Sequence, residues 1–186
     1  MEEEVLCDVE LPVTSLRLPA TYGPGDAQHR LYEYVRPMDD ARPAVLIDER
    51  FAGWRWARGY VEDVAAAIAL AAADERASGR VYNVAQREAY SETQWARMIA
   101  NAHGWQGELL PVPPAMLPGS LRSDLDERQE YVVSSELIRD ELGYEERVSL
   151  TEGLRRTIEW ERANPPQGAE PDYEAQDRAL AQLRDS

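Results

Sequence analysis

Lysine is absent. All 20 basic residues of the 186-residue chain are arginine, which excludes chemistry that needs a lysine amine on these residues, such as a Schiff base or a tyrosine–lysine acid/base pair. Cysteine is nearly absent: Cys7 stands alone, so no disulfide can form within the chain. The two histidines, His29 and His103, are far apart and have no cysteine partners, a spacing that offers no metal site. No apolar run approaches the roughly 20 residues that a membrane-spanning helix needs. Met1-Glu-Glu-Glu lacks the basic, apolar opening of a secretory signal. The expectation is a cytoplasmic protein without a membrane segment. Positive charge is scarce against 35 acidic residues, and the net charge of −15 would repel nucleic-acid phosphates and anionic membranes as main partners. An acidic, lysine-free surface suits a salt-rich cytoplasm, although GC-biased coding gives the same arginine preference.

Apolar residues make up 44% of the chain, enough for one globular domain with a core. Pro12-Val-Thr-Ser-Leu-Arg-Leu18 is short, β-branched and apolar, as a buried strand should be. It stops in Tyr22-Gly-Pro-Gly25, a run of breakers that places a loop at the carboxyl edge of a sheet, where α/β proteins bind ligands. An ordinary strand-to-helix turn reads the same way. Upstream, Val5, Leu6 and Val9 recur at helical spacing. Downstream, Asp26 is positioned to cap a helix to about Met38, with Leu31, Tyr34, Val35 and Met38 on one face. Ala44–Ile47 and Arg80–Ala85 read as strands, with Leu109–Val112 as a small one. Ala65–Ala73 is almost wholly apolar and predicts a helix buried on most of its surface. Ser91-Glu-Thr-Gln94 and Ser149-Leu-Thr-Glu152 are capping boxes, and Ser134 starts a further helix stopped by Gly143. Residues 164–186 are polar and predict a mostly loose tail, with Leu180 and Leu183 spaced for at most one weak helix. Short strands alternating with helices imply an α/β fold with parallel pairing.

Leu16-Arg-Leu-Pro-Ala-Thr-Tyr-Gly-Pro-Gly25, Arg58-Gly-Tyr-Val-Glu-Asp-Val-Ala65 and Gly79-Arg-Val-Tyr-Asn-Val84 occur in that order. They are followed by Ile138-Arg-Asp-Glu-Leu-Gly-Tyr144 and Glu152-Gly-Leu-Arg-Arg-Thr-Ile-Glu-Trp160. Together these segments resemble the C-terminal half of an extended short-chain dehydrogenase/reductase, the NAD-dependent epimerase/dehydratase family. The resemblance implies the C-terminal part of a Rossmann-like parallel sheet plus a small, mostly helical substrate-binding region over residues 1–163. It also implies NAD or NADP as cofactor and a small-molecule substrate, in oxidoreductase or isomerase chemistry. The family's Gly-rich phosphate turn and catalytic Tyr-x-x-x-Lys are not found here, so tight dinucleotide binding and turnover by this chain alone are not expected. A partner chain carrying the Rossmann half, or a homodimer, would cover the sheet edge near Val13–Leu18. A non-catalytic binding or interaction module derived from the fold, and a plain gene fragment, are the alternatives.

By the same resemblance, Pro19, Ala20, Thr21 and Tyr22 are the cofactor-binding candidates, their backbone lying beside the nicotinamide amide. Family members acting on sugar nucleotides carry an Asn where this chain has Ala20, which puts a sugar-nucleotide substrate in doubt and leaves a smaller aldehyde, ketone or uncharged substrate open. Arg55, Arg58 and Tyr60 are the substrate-binding candidates, since a guanidinium can grip phosphate or carboxylate at two points. The competing reading pairs either arginine with Glu62 or Asp63, and makes Trp54, Trp56 and Tyr60 core residues.

Overall fold

Three parallel strand pairs carry the fold, each formed by segments far apart in the chain. The computed structural model describes residues 13–123, 125–168 and 170–185; the helical reading of Val5 to Val9 lies outside them. Strand β1 (Ser15–Arg17) pairs with β5 (Val81–Asn83), β2 (Ala20–Tyr22) with β4 (Arg58–Tyr60), and β3 (Ala44–Asp48) with β6 (Glu108–Val112). Between them run α1 (Tyr32–Asp39), α2 (Val61–Ala73), α3 (Glu92–His103), α4 (Glu136–Leu142), α5 (Leu150–Ala163) and α6 (Tyr173–Arg184). The expected α/β architecture with parallel strands is present.

The stretch read as one strand and a loop is two strands with different partners. Pro19 has no N–H and cannot serve a ladder as donor, so the chain leaves β5 after Arg17 and joins β4 at Ala20, whose N–H donates to Ala57 O at 3.0 Å. Gly59 lets the two strands approach. A Cβ there would lie 2.8 Å from both Pro19 Cγ and Val64 Cγ2, inside any tolerable contact. Gln86 N–H then donates to Arg58 O at 2.8 Å and ties the chain beyond β5 to β4.

Asp26 does not cap a helix. Its carboxylate accepts from the backbone N–H of Gln28 and Arg30 at 3.0 and 3.1 Å, which closes a loop, and α1 begins only at Tyr32. The expected face of Leu31, Tyr34, Val35 and Met38 is buried nonetheless. The Ser91 box forms in full, with both reciprocal bonds present, and Gly104 ends α3 at φ 85°. The Ser149 hydroxyl accepts from Glu152 N–H at 3.3 Å.

The core has three parts. The largest packs Tyr22, Tyr34, Val45, Ile47, Tyr60, Trp95, Ile99, Leu154 and Ile158 between the strands and α1, α3 and α5. A second sets Ala67 and Ala71 of α2 against Tyr82, Ile138 and Leu142. The prediction of a mostly buried α2 is corrected here. Ala65, Ala69, Ala72 and Ala73 are exposed and Ile68 is 42% exposed, because the described residues pack against one side of the helix only. The third part corrects the loose tail. β3 is buried on both faces, with Val45 and Ile47 facing the main core and Ala44 and Leu46 facing Ala179 and Leu180 of α6. Period-two alternation demands a cover for that second face, and α6 supplies it. Asp172 caps the helix through Ala175 N–H at 2.9 Å.

Candidate functional site

A cleft of about 630 Å³ opens where β2, β4, α1 and α3 meet, lined among others by Ala20, Tyr22, Glu33, Trp56, Arg58 and Glu92. The backbone explains why these residues converge. Loop 52–56 holds the start of α3: Glu92 N–H donates to Trp54 O at 3.0 Å and Thr93 N–H to Ala52 O at 3.1 Å. Glu92 is therefore fixed at the first position of α3, where the positive end of the helix dipole favours a carboxylate. Arg58 leaves β4 directly beneath it.

Arg58 is 7% exposed. Its Nη2 donates to Glu92 Oε2 at 2.5 Å and its Nη1 to Tyr90 O at 3.4 Å. The guanidinium carbon lies 4.6 Å from the centre of the Trp95 ring and 5.7 Å from that of Trp56. The Tyr34 hydroxyl donates to the other Glu92 oxygen. Burial, with Glu92 and Glu33 nearby, holds the Tyr34 phenol far above its ordinary titration range. Glu33 has no hydrogen-bond or ion-pair partner among the described residues. Glu33 is exposed at the open cleft, with protein crowding it from the other sides. This crowding, with the Glu92 charge adding to it and Arg58 opposing, raises its carboxyl from 4.5 to about 7.

Further along the wall, the His29 ring stacks on Trp160 at 5.2 Å, and its Nδ1 lies 2.7 Å from Glu161 Oε2. Glu161 is fully buried, and burial raises its carboxyl above the usual range. Arg30 donates to Thr21 O at 2.9 Å and to Asp26 Oδ1 at 2.6 Å.

The residues singled out from sequence divide. Ala20, Tyr22 and Arg58 line the cleft. Pro19 packs on Gly59, and its carbonyl accepts from the Thr21 hydroxyl at 3.2 Å. Tyr60 is 1% exposed in the core, its ring 5.6 Å from that of Tyr22, and is not among the cleft-lining residues. Arg55 is exposed outside the cleft and grips Glu130 through two nitrogens, with Nη2 to Oε2 at 2.7 Å. The proposed pairing of either arginine with Glu62 or Asp63 is corrected. Arg156 holds Glu62, and Asp63 Oδ1 accepts from the N–H groups of Arg147 and Val148 at 2.8 and 3.3 Å. Sequence reasoning missed Glu33, Tyr34, Glu92 and Trp95 as site residues. Glu92 carried one available signal, an acid at the first position of a capped helix.

None of the described α-helices presents an acid-free N-terminus. Each described α-helix carries an acid in its first turn: Glu33, Glu62 with Asp63, Glu92, Glu136, Glu152 and Glu174. Such helix starts repel the anion that a free N-terminus would hold. Among the described residues no group of three or more His, Cys, Asp or Glu could hold a metal ion. None of the described helices is long and apolar enough to cross a membrane.

Residues 6–85 match the model of the NAD dependent epimerase/dehydratase family. An uncharacterised protein of Sinorhizobium fredii is 24% identical over 86% of this chain and 50% of its own length. Among solved structures, dTDP-glucose 4,6-dehydratase of Bacillus anthracis in complex with NAD matches at TM-score 0.68 and 18% identity, covering 88% of this chain and 50% of that one. UDP-glucose 4-epimerase of Thermus thermophilus in complex with NAD matches at TM-score 0.60 and 28% identity, covering 87% and 48%. The Bordetella bronchiseptica enzyme WbmF, in complex with NAD+ and UDP, matches at TM-score 0.65 and 24% identity, covering 99% and 54%. The chain spans about half the length of the relatives it matches.

Proposed function

We propose that this chain is the substrate-binding half of an NAD(P)-dependent epimerase, dehydratase or reductase of that family. The observation that carries the reading is the pairing of β2 with β4, which sets Ala20 and Tyr22 beside Arg58 on one cleft. A nicotinamide, when bound, supplies hydride transfer. This chain's residues offer it Ala20 and Tyr22 as a wall, and they shape the space for a small molecule between Trp56, Arg58, Glu33 and Trp95. Trp95 and Tyr22 exclude water from the floor of that space. Arg58, braced by Glu92 and Tyr34, fixes its polar corner.

The Tyr22 phenol stands above its ordinary range through burial and the nearby Asp63 charge, and the chain has no lysine to lower it. Tyr22 is therefore unsuited to serve as the acid/base group at neutral pH. Turnover requires a segment or partner chain that carries a Gly-rich turn and a Tyr-x-x-x-Lys pair. The test is to assay the homogeneous chain for NADH binding and oxidation with small aldehydes and ketones. No turnover and only weak NADH binding are expected, while steady NADH oxidation by this chain alone refutes the reading. Because described residues of this chain already wall the cleft, a non-catalytic ligand-binding module is the second reading. It is favoured if a small molecule saturates the cleft and no added Rossmann segment yields turnover.

A further inference from the structure

The cleft's basic groups are already paired, and the charged groups left over are acidic. Arg58 is held by Glu92, Arg30 by Asp26, Arg36 by Asp40 and His29 by Glu161. Each basic side chain lining the cleft therefore has its own carboxylate. Glu33 and Glu170 are what remains: carboxyls on the cleft wall with no hydrogen-bond or ion-pair partner among the described residues, Glu33 being the one beside Arg58 and Glu92. A nucleoside diphosphate would bring two or more negative charges to a site whose guanidiniums are occupied and whose uncommitted groups, Glu33 and Glu170, are acidic. It would have to break the 2.5 Å contact between Arg58 and Glu92 and leave Glu92 unpaired in a poorly solvated position. A cation would meet the opposite situation.

We infer that the cleft selects a small hydroxylated molecule bearing a protonated amine, and that the Glu33 carboxylate is the group that receives it. This deepens the reading of the cleft as a substrate site and rests on it. The chemistry is direct. An ammonium beside Glu33 supplies the hydrogen-bond donors the carboxylate lacks, and it offsets the repulsion between Glu33 and Glu92. Hydroxyl groups on the same ligand find acceptors in Glu92 and flat apolar surface on Trp56 and Trp95. The charged groups that face Glu33 are Glu92 of α3 and Arg58 of β4. From α5, Glu161 and Arg162 are engaged by His29 and Asp39, and from β3, Asp48 is held by Arg50.

Binding is then linked to protons. Unliganded Glu33 titrates near 7, so an ammonium that binds the carboxylate releases a proton below that pH and binds more tightly above it.

The test uses the whole chain and three probes: glucamine, its neutral analogue sorbitol, and UDP-glucose. Binding is followed through the indole N–H signals of Trp56 and Trp95. At pH 8 glucamine is expected to bind at least about tenfold more tightly than sorbitol, with the advantage falling about tenfold at pH 6, where Glu33 is about 90% protonated. Glu33→Gln, with wild-type spectral dispersion, is expected to bind the two alike. UDP-glucose binding more tightly than glucamine, or glucamine no better than sorbitol, overturns the inference and leaves the cleft standing as a substrate site. If no probe moves either indole signal, both the inference and the substrate-site reading fall.

Discussion

Removing the charge of Glu92 should destabilise the chain by much more than an ordinary surface substitution. In Glu92→Gln the side chain keeps its length and an oxygen that can accept from Tyr34, but Arg58 loses its counter-ion. The Arg58 and Glu92 side chains are 8% and 15% exposed, so the guanidinium cannot recover full hydration. Breaking a buried pair from one side costs about 3–5 kcal/mol. The low end applies here, because the guanidinium keeps the Trp95 face at 4.6 Å and a cation over an aromatic ring is worth about 1 kcal/mol or more when desolvated. Loss of a carboxylate at the first position of α3 adds about 0.5 kcal/mol. The sum is about 3.5 kcal/mol, or roughly 7–14 °C in Tm for a chain of this size. Urea unfolding followed by tryptophan fluorescence, with calorimetry in parallel, measures it. Adding Arg58→Met removes the stranded charge and should restore stability to within about 1 kcal/mol of wild type, since an apolar replacement of a buried pair is often neutral. A loss below about 1 kcal/mol in the single variant, or no recovery in the double, refutes the argument that Arg58 is poorly hydrated and dependent on Glu92.

Gly59→Val should fail to fold or melt at least about 10 °C lower by circular dichroism, because any Cβ at 59 collides with Pro19 and Val64 at 2.8 Å and separates β2 from β4; a soluble variant with unchanged melting refutes the packing. Glu33→Gln should reveal the linkage of that carboxyl to stability. Its folded titration point, about 7, lies above its ordinary 4.5, so the contribution is full below pH 4.5 and is lost as pH rises through 7. The variant should therefore melt higher than wild type above pH 7, by about 1 kcal/mol after allowing for the water that reaches Glu33, and match it near pH 4.5; a pH-independent difference refutes the assignment.

The fold was legible wherever local chemistry decided it. Ser91 and Gln94 announce the start of α3, Gly104 its end, and Ala44–Ile47 reads as a buried strand because both of its faces are covered. What was not legible depended on partners distant in sequence. Nothing near Pro19 indicates that β1 and β2 serve different neighbours, because that follows from the fit of Pro19 against Gly59. The burial of α2 was overestimated because composition alone cannot say how many sides of a helix are covered. Leu180 and Leu183 gave too faint a stripe to predict a docked helix, and what decides their fate is the second face of β3, more than 130 residues earlier.

The site shows the same division, and its chemistry turns on the illegible part. Arg58 was visible as a candidate because of its motif, but its charge state in the cleft depends on Glu92, 34 residues later. The sequence offered nearer acids, Glu62 and Asp63, and proximity along the chain favoured them. They are unavailable for a reason visible only in three dimensions. Asp63 accepts the otherwise free N–H groups of Arg147 and Val148, and Glu62 faces Arg156 on α5. The acids of α2 thus fasten the C-terminal helices to the sheet, leaving Arg58 to the acid at the start of α3. That start is fixed in place by the carbonyls of Ala52 and Trp54. Arg58 therefore arrives in the cleft neutralised and braced rather than free to seize an anion, while Glu33, unremarkable in the sequence of α1, is left on the cleft wall with no partner among the described residues.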